Sequence, residues 1–170
     1  VEDEREAVLR GDPLGGLDHI LAMIAVGLYA AQLGGRAMWS LPAAFMTAMI
    51  ASGAMGYAGI PIPMVEQGIA LSVIAMGAAI ALGLKMPAVL GMTLVGVFAI
   101  FHGHAHGSEG TDAASFLSYA AGFIAATLLL HVTGIALGLG LDKLKAHHAL
   151  ALRRAAGTAG ALAGVAILLN

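Results

Sequence analysis

The sequence predicts an all-α membrane protein, a polytopic bundle of about six transmembrane helices forming one domain over residues 1–170. Three observations carry that expectation. Hydrophobic residues make up 59% of the chain and charged residues only 11%, with a mean hydropathy of +0.90. A soluble domain usually carries roughly a quarter charged residues, so the missing polar coat implies a surface that faces lipid. Six apolar stretches, near 14–33, 38–57, 65–84, 87–103, 115–140 and 149–169, approach the roughly 20 residues that span the hydrocarbon.

Taken in order, each stretch has its own start or stop signal. Asp12-Pro13 opens the first, with Asp12 suited to N-cap and Pro13 to the first helical position. Gly34-Gly35-Arg36 closes it. The second ends at Gly59-Ile60-Pro61-Ile62-Pro63, and the third at Lys85-Met86-Pro87. The fourth runs into the polar, Gly-rich segment 102–114, which reads as an outer His-bearing loop. Asp142, Lys143, Lys145, Arg153 and Arg154 mark the break between the fifth and sixth. Within those last two, Gly134-x-x-x-Gly138 and Gly160-x-x-x-Gly164 have the small-residue spacing that brings membrane helices together.

Lys and Arg set the orientation. Arg36, Lys85, Lys143, Lys145, Arg153 and Arg154 fall in the odd-numbered connections, six of the eight basic residues. Only Arg5 and Arg10 fall on the other side. The odd connections are therefore expected in the cytoplasm, with both termini and segment 102–114 outside. The charged start Val1-Glu2-Asp3-Glu4-Arg5-Glu6 is followed by no separate signal-like apolar run with a cleavage site. A removed leader would agree with an N-terminus outside.

Composition also excludes functions. The pI near 6.4 and net charge of -2 leave no basic stripe for nucleic acid. With no cysteine, thiolate metal sites, disulfides and Cys nucleophiles are ruled out, so a soft ligand must be His or Met. There is no G-x-x-x-x-G-K-[ST] loop for ATP. No prosthetic group is expected, and a homo-oligomer is left open.

The histidines are unevenly placed. Three of seven lie in Phe101-His102-Gly103-His104-Ala105-His106-Gly107-Ser108-Glu109, where small neighbours allow the backbone to turn tightly around one ion. Imidazole suits Ni, Co, Zn and Cu, and Glu109 or Asp112 adds charge. The bland alternative is a solvated polar loop. Asp18 and His19 sit inside the first apolar stretch, where ionisable groups cost a few kcal/mol unless paired or wet. Met23 follows His19 at i+4 and shares its face. Asp12 reads first as a helix cap and second as a ligand. Glu66, beside Gln67 at the start of the third stretch, fits a dipole-favoured first-turn carboxylate as well as a ligand. His131, one turn beyond Thr127, is either a deep relay ligand or an interhelical contact. His147 and His148 read as interfacial.

Two of these motifs resemble those of the HupE/UreJ family of small bacterial permeases. Asp12-Pro13-Leu14-Gly15-Gly16-Leu17-Asp18-His19-Ile20-Leu21-Ala22-Met23 resembles the family's first-helix motif, and Phe101 through Glu109 its second. The resemblance implies nickel or cobalt uptake, a link to hydrogenase or urease maturation, and metal-ligand or pathway roles for Asp18, His19, His102, His106 and Glu109. Glu66 and His131 resemble further polar positions of the family. Its pattern begins with His where this chain has Asp12, a harder donor.

The expected function is secondary transport of Ni(II) or Co(II) inward across the bacterial inner membrane, with the N-terminus in the periplasm. The ion would be collected by His102, His104, His106 and Glu109, handed to Asp18 and His19, and passed inward along Met23 and His131. Two other classes compete. An intramembrane zinc hydrolase would use three ligands and an open water position, although no H-E-x-x-H occurs. A membrane metal sensor or accessory protein would bind without transporting.

Overall fold

A computed structural model describes residues 16–109 and 113–169. Six helices make up the fold: α1 Leu17–Leu33, α2 Ala37–Tyr57, α3 Val65–Ala81, α4 Ala88–Ser108, α5 Ala113–Leu141 and α6 Ala146–Leu169. Among the described residues there is no strand. All six expected apolar stretches are helical. Four helices, α2, α4, α5 and α6, are long and apolar enough to cross a membrane by length and composition. The two others, α1 and α3, are apolar helices of 17 residues, about 25 Å long at 1.5 Å per residue.

The ends of α1 and α3 follow from glycine. Gly34 and Gly35 take φ of 71° and 51° after α1, and Gly83 takes 63° after α3. Left-handed backbone of this kind stops a helix and costs a residue with a Cβ far more than glycine. Pro42 lies inside α2 and is buried.

One expectation is corrected here. Segment 102–114 is not a loop from its start: α4 continues through Ser108, so His102, His104 and His106 are helical. The fourth stretch ends about a turn later than its apolar run because helical hydrogen bonding carries on where buried partners accept the polar side chains. Asp12 and Asp112 lie outside the described residues.

Successive helices alternate in direction. His19 meets His106, His104 meets Ile60, and Tyr57 stacks on Phe116 with ring centroids 4.0 Å apart, all at one end. At the opposite end Gln32 reaches the carbonyls of Ala79 and Leu84, and Arg153 pairs with Asp142 at 2.6 Å. Arg36, Lys85, Lys143 and Lys145 belong to that second end, and Asp18, Glu66 and Glu109 to the first. The bundle is therefore basic at one end and acidic at the other.

Helix α1 is the hub and touches all five others. Three pairs pack most closely, α2 with α4, α3 with α6 and α1 with α5, and glycines let their backbones approach. A Cβ on Gly134 would collide with the Ile24 carbonyl, one on Gly107 with the Gly53 carbonyl, and one on Gly157 with the Ala81 amide. This is small-residue packing of membrane helices. The Gly134–Gly138 pair serves it as expected. In α6 the tight contacts fall on Gly157 and Gly164, while Gly160 has looser surroundings.

Candidate metal centre

The helical period sorts the three motif histidines. At about 100° per residue, His102 and His106 share one face and His104 points away from it. Gly103 and Gly107 do not make a tight turn around an ion. They form the α4 face against α2, where a Cβ would strike Met49 O and Gly53 O. His104 is buried and its Nε2–H donates to Ile60 O at 2.7 Å, tying α4 to the loop after α2. The structure does not bring His104 to the other two.

It does bring His19 to them. Its ring centroid lies 4.6 Å from His102 and 4.4 Å from His106, edge-on to both. The cluster joins the first turn of α1 to the last turns of α4. His102 is fully buried (0% exposed), not solvent-facing as expected of a loop.

Each of the three imidazoles is held from behind, and the partners assign its tautomer. Asp18, buried at 3% exposure in the first turn of α1, accepts from His19 Nδ1–H at 2.8 Å. Ser72 of α3 donates its only proton to Ile69 O at 2.6 Å, so its Oγ accepts from His102 Nε2–H at 2.8 Å. Tyr119 of α5 donates its proton to Glu109, so its Oη accepts from His106 Nδ1–H at 2.7 Å. Glu109 Oε2 lies 3.5 Å from the same nitrogen.

The consequence is three lone pairs. His19 Nε2, His102 Nδ1 and His106 Nε2 are buried and have no hydrogen-bond partner among the described residues. Neutral imidazole with one nitrogen anchored and the other free is the ligand form for transition metals, and a carboxylate or hydroxyl behind it fixes ring orientation and raises basicity. Among the described residues, no three His, Asp or Glu side chains converge on one coordination point. His19 packs edge-on against both other rings, which places the three imidazoles side by side without a shared coordination point.

The remaining candidates fall into two groups. Glu66 stands exposed in the first turn of α3, where the helix dipole favours a carboxylate. Met23, one turn below His19, is buried in the apolar core with Val26, Phe45, Met49 and Met76. His131 is fully buried in α5, with neither ring nitrogen partnered among the described residues and its ring 5.1 Å from Phe45. Phe45 in turn lies 5.6 Å from His102, so it stands between the cluster and His131. Ser72, Tyr119 and Phe45 were not singled out by sequence. Ser72 gives a faint signal as a polar residue in an apolar helix, but no spacing rule connects it to His102, 30 positions away.

Comparison with known proteins gives the family. The HupE / UreJ protein family matches over residues 8–167, which includes both motif regions. The chain belongs to the HupE/UreJ family. It is 47% identical over 159 residues to Protein HupE of Rhizobium leguminosarum bv. viciae, covering 93% of this chain and 81% of that one. No solved structure matches it. Family and apolar helices together make this a multi-pass membrane protein.

Proposed function

We propose that this HupE/UreJ protein is a permease that takes up Ni(II) or Co(II) across the bacterial inner membrane, entering at the end that carries His19, His102 and His106. One observation carries the reading: His19 packs against both His102 and His106, and each of the three imidazoles keeps one buried nitrogen with no partner among the described residues while its other nitrogen is anchored. Leaving buried polar atoms unpaired costs about 1–3 kcal/mol each. A fold that retains three together gains from whatever fills them. Nitrogen donors match Ni, Co, Zn and Cu better than Mg or Ca.

Asp18 and Glu109 act behind the ligands in this scheme. Asp18 orients His19, Glu109 orients His106 through Tyr119, and both lend negative charge to an arriving dication. The ion then moves inward past Phe45 towards His131. Release requires affinity that is not too high, which a small, exchangeable donor set provides. Membership of the family supports metal uptake in general and a supply role for hydrogenase or urease.

Uptake of radioactive nickel into proteoliposomes tests the proposal. His19→Ala and His102→Ala should each abolish uptake above background, and unchanged uptake in both would overturn it. The three-nitrogen donor set with an open position also fits a hydrolytic zinc centre. Metal-dependent cleavage of a peptide or lipid by the purified protein, without nickel flux, would favour that reading.

A further inference from the structure

Beyond the three-histidine cluster, Phe45 leads to a second buried imidazole, His131. His131 is fully buried, and neither of its nitrogens has a partner among the described residues. One turn earlier on the same face of α5, Thr127 Oγ1–H donates to the sulfur of Met49 at 3.8 Å. Met49 is one turn from Phe45 on α2, and Phe45 packs edge-on against His131. The α2 and α5 faces thus meet in two rungs, Met49 with Thr127 and Phe45 with His131.

This layer connects to the entry cluster. A cavity of about 150 Å³ between α2, α4 and α5 is lined by both His106 and Met49, with Gly53, Gly103, Tyr119 and Phe123 in its walls. His106 and the Met49 thioether thus border one cavity, and His131 lies one turn beyond Thr127, outside its lining. Thr127 is unusual for a helical threonine, because its proton goes to a sulfur on a neighbouring helix and not to a carbonyl of its own.

We infer that Met49 and His131 form a second, inner ion station, with Thr127 as the positioning residue for the Met49 sulfur. This rests on the reading of the histidine cluster as the entry site. Thioether and neutral imidazole favour borderline and soft ions such as Ni(II), Co(II) and copper, and disfavour Mg(II), Ca(II) and Mn(II). No carboxylate is among the described partners of either residue, so a dication here lacks the countercharge that Asp18 and Glu109 give outside. The station filters by donor softness and holds its ion more weakly than the entry cluster, so it fills when nickel is in excess. Met49 takes the part that sequence spacing assigned to Met23.

Nickel X-ray absorption on purified, nickel-loaded protein tests this directly. The chain has no cysteine, so any sulfur in the coordination shell is a methionine thioether. Sulfur scattering should be present in the unaltered protein, absent in Met49→Leu with imidazole scattering retained, and present in Met23→Leu. Thr127→Val should weaken nickel affinity at the inner station about 10–100-fold, with an unchanged melting temperature separating this from misfolding. Absence of sulfur scattering in the unaltered protein, or its persistence in Met49→Leu, overturns the inference. Failure of the entry reading looks different: His19→Ala would then leave uptake intact whatever the sulfur signal shows.

Discussion

At the scale of single residues, the site depends on where protons are committed. Ser72 and Tyr119 each have one hydroxyl proton and give it away, to Ile69 O and to Glu109. Both oxygens are thereby turned into acceptors, and the nitrogens of His102 and His106 nearest to them must carry the ring protons. Ser72→Ala and Tyr119→Phe remove those acceptors without touching a proposed ligand. Each ring then rotates more freely and can swap tautomer, so nickel affinity should fall about 10–100-fold, read by equilibrium dialysis with radioactive nickel. Affinity unchanged in both variants would mean the hydroxyls do not set the ligand form. Asp18-His19 and His102-x-x-x-His106 are legible in sequence because each motif is local. Ser72 and Tyr119 are not, since the bonds that give them meaning span 30 and 13 positions.

At the scale of helices, the glycines of the second motif explain why its histidines are rigidly presented. Gly103 and Gly107 let α4 lie against α2, where a Cβ on Gly107 would meet the carbonyl, Cα and carbonyl carbon of Gly53, all backbone. Backbone cannot swing aside as a side chain can. Gly107→Val should therefore push the two helices apart, cost about 1–3 kcal/mol as overpacking does, and weaken nickel binding because His102 and His106 ride on α4. Gly96→Ala provides the contrast, since nothing lies within 4 Å of a Cβ there and alanine is the better helix former. Thermal unfolding in detergent should show a lower Tm for Gly107→Val and an equal or slightly higher one for Gly96→Ala. Equal Tm values would show that the α2–α4 contact does not need glycine. The apolar runs made the six helices readable, but the extension of α4 to Ser108 was hidden. A string of His and Gly has the composition of a loop, and only the partners supplied by α1, α2, α3 and α5 reveal why helix wins.

At the scale of the whole molecule, charge and chemistry are polarised along the same axis. The anchored imidazoles, Asp18 and Glu109 lie at one end, and Arg36, Lys85, Lys143 and Lys145 at the other. Basic residues are retained in the cytoplasm, so the end with the histidine cluster should face outward. A negative interior then drives cations from ligands to basic end, by about 4.6 kcal/mol per 100 mV for a dication, twice the value for one charge. That is enough for concentrative uptake without ATP. Because the chain has no cysteine, single reporters can be placed cleanly. Gln67→Cys lies exposed at the start of α3, near the ligand end, and Leu144→Cys lies exposed between α5 and α6, at the basic end. A membrane-impermeant maleimide added to intact cells should label Gln67→Cys and spare Leu144→Cys until the membrane is opened. The reverse pattern would turn the bundle over, place the histidine cluster in the cytoplasm, and make capture for export the direction that the same geometry serves.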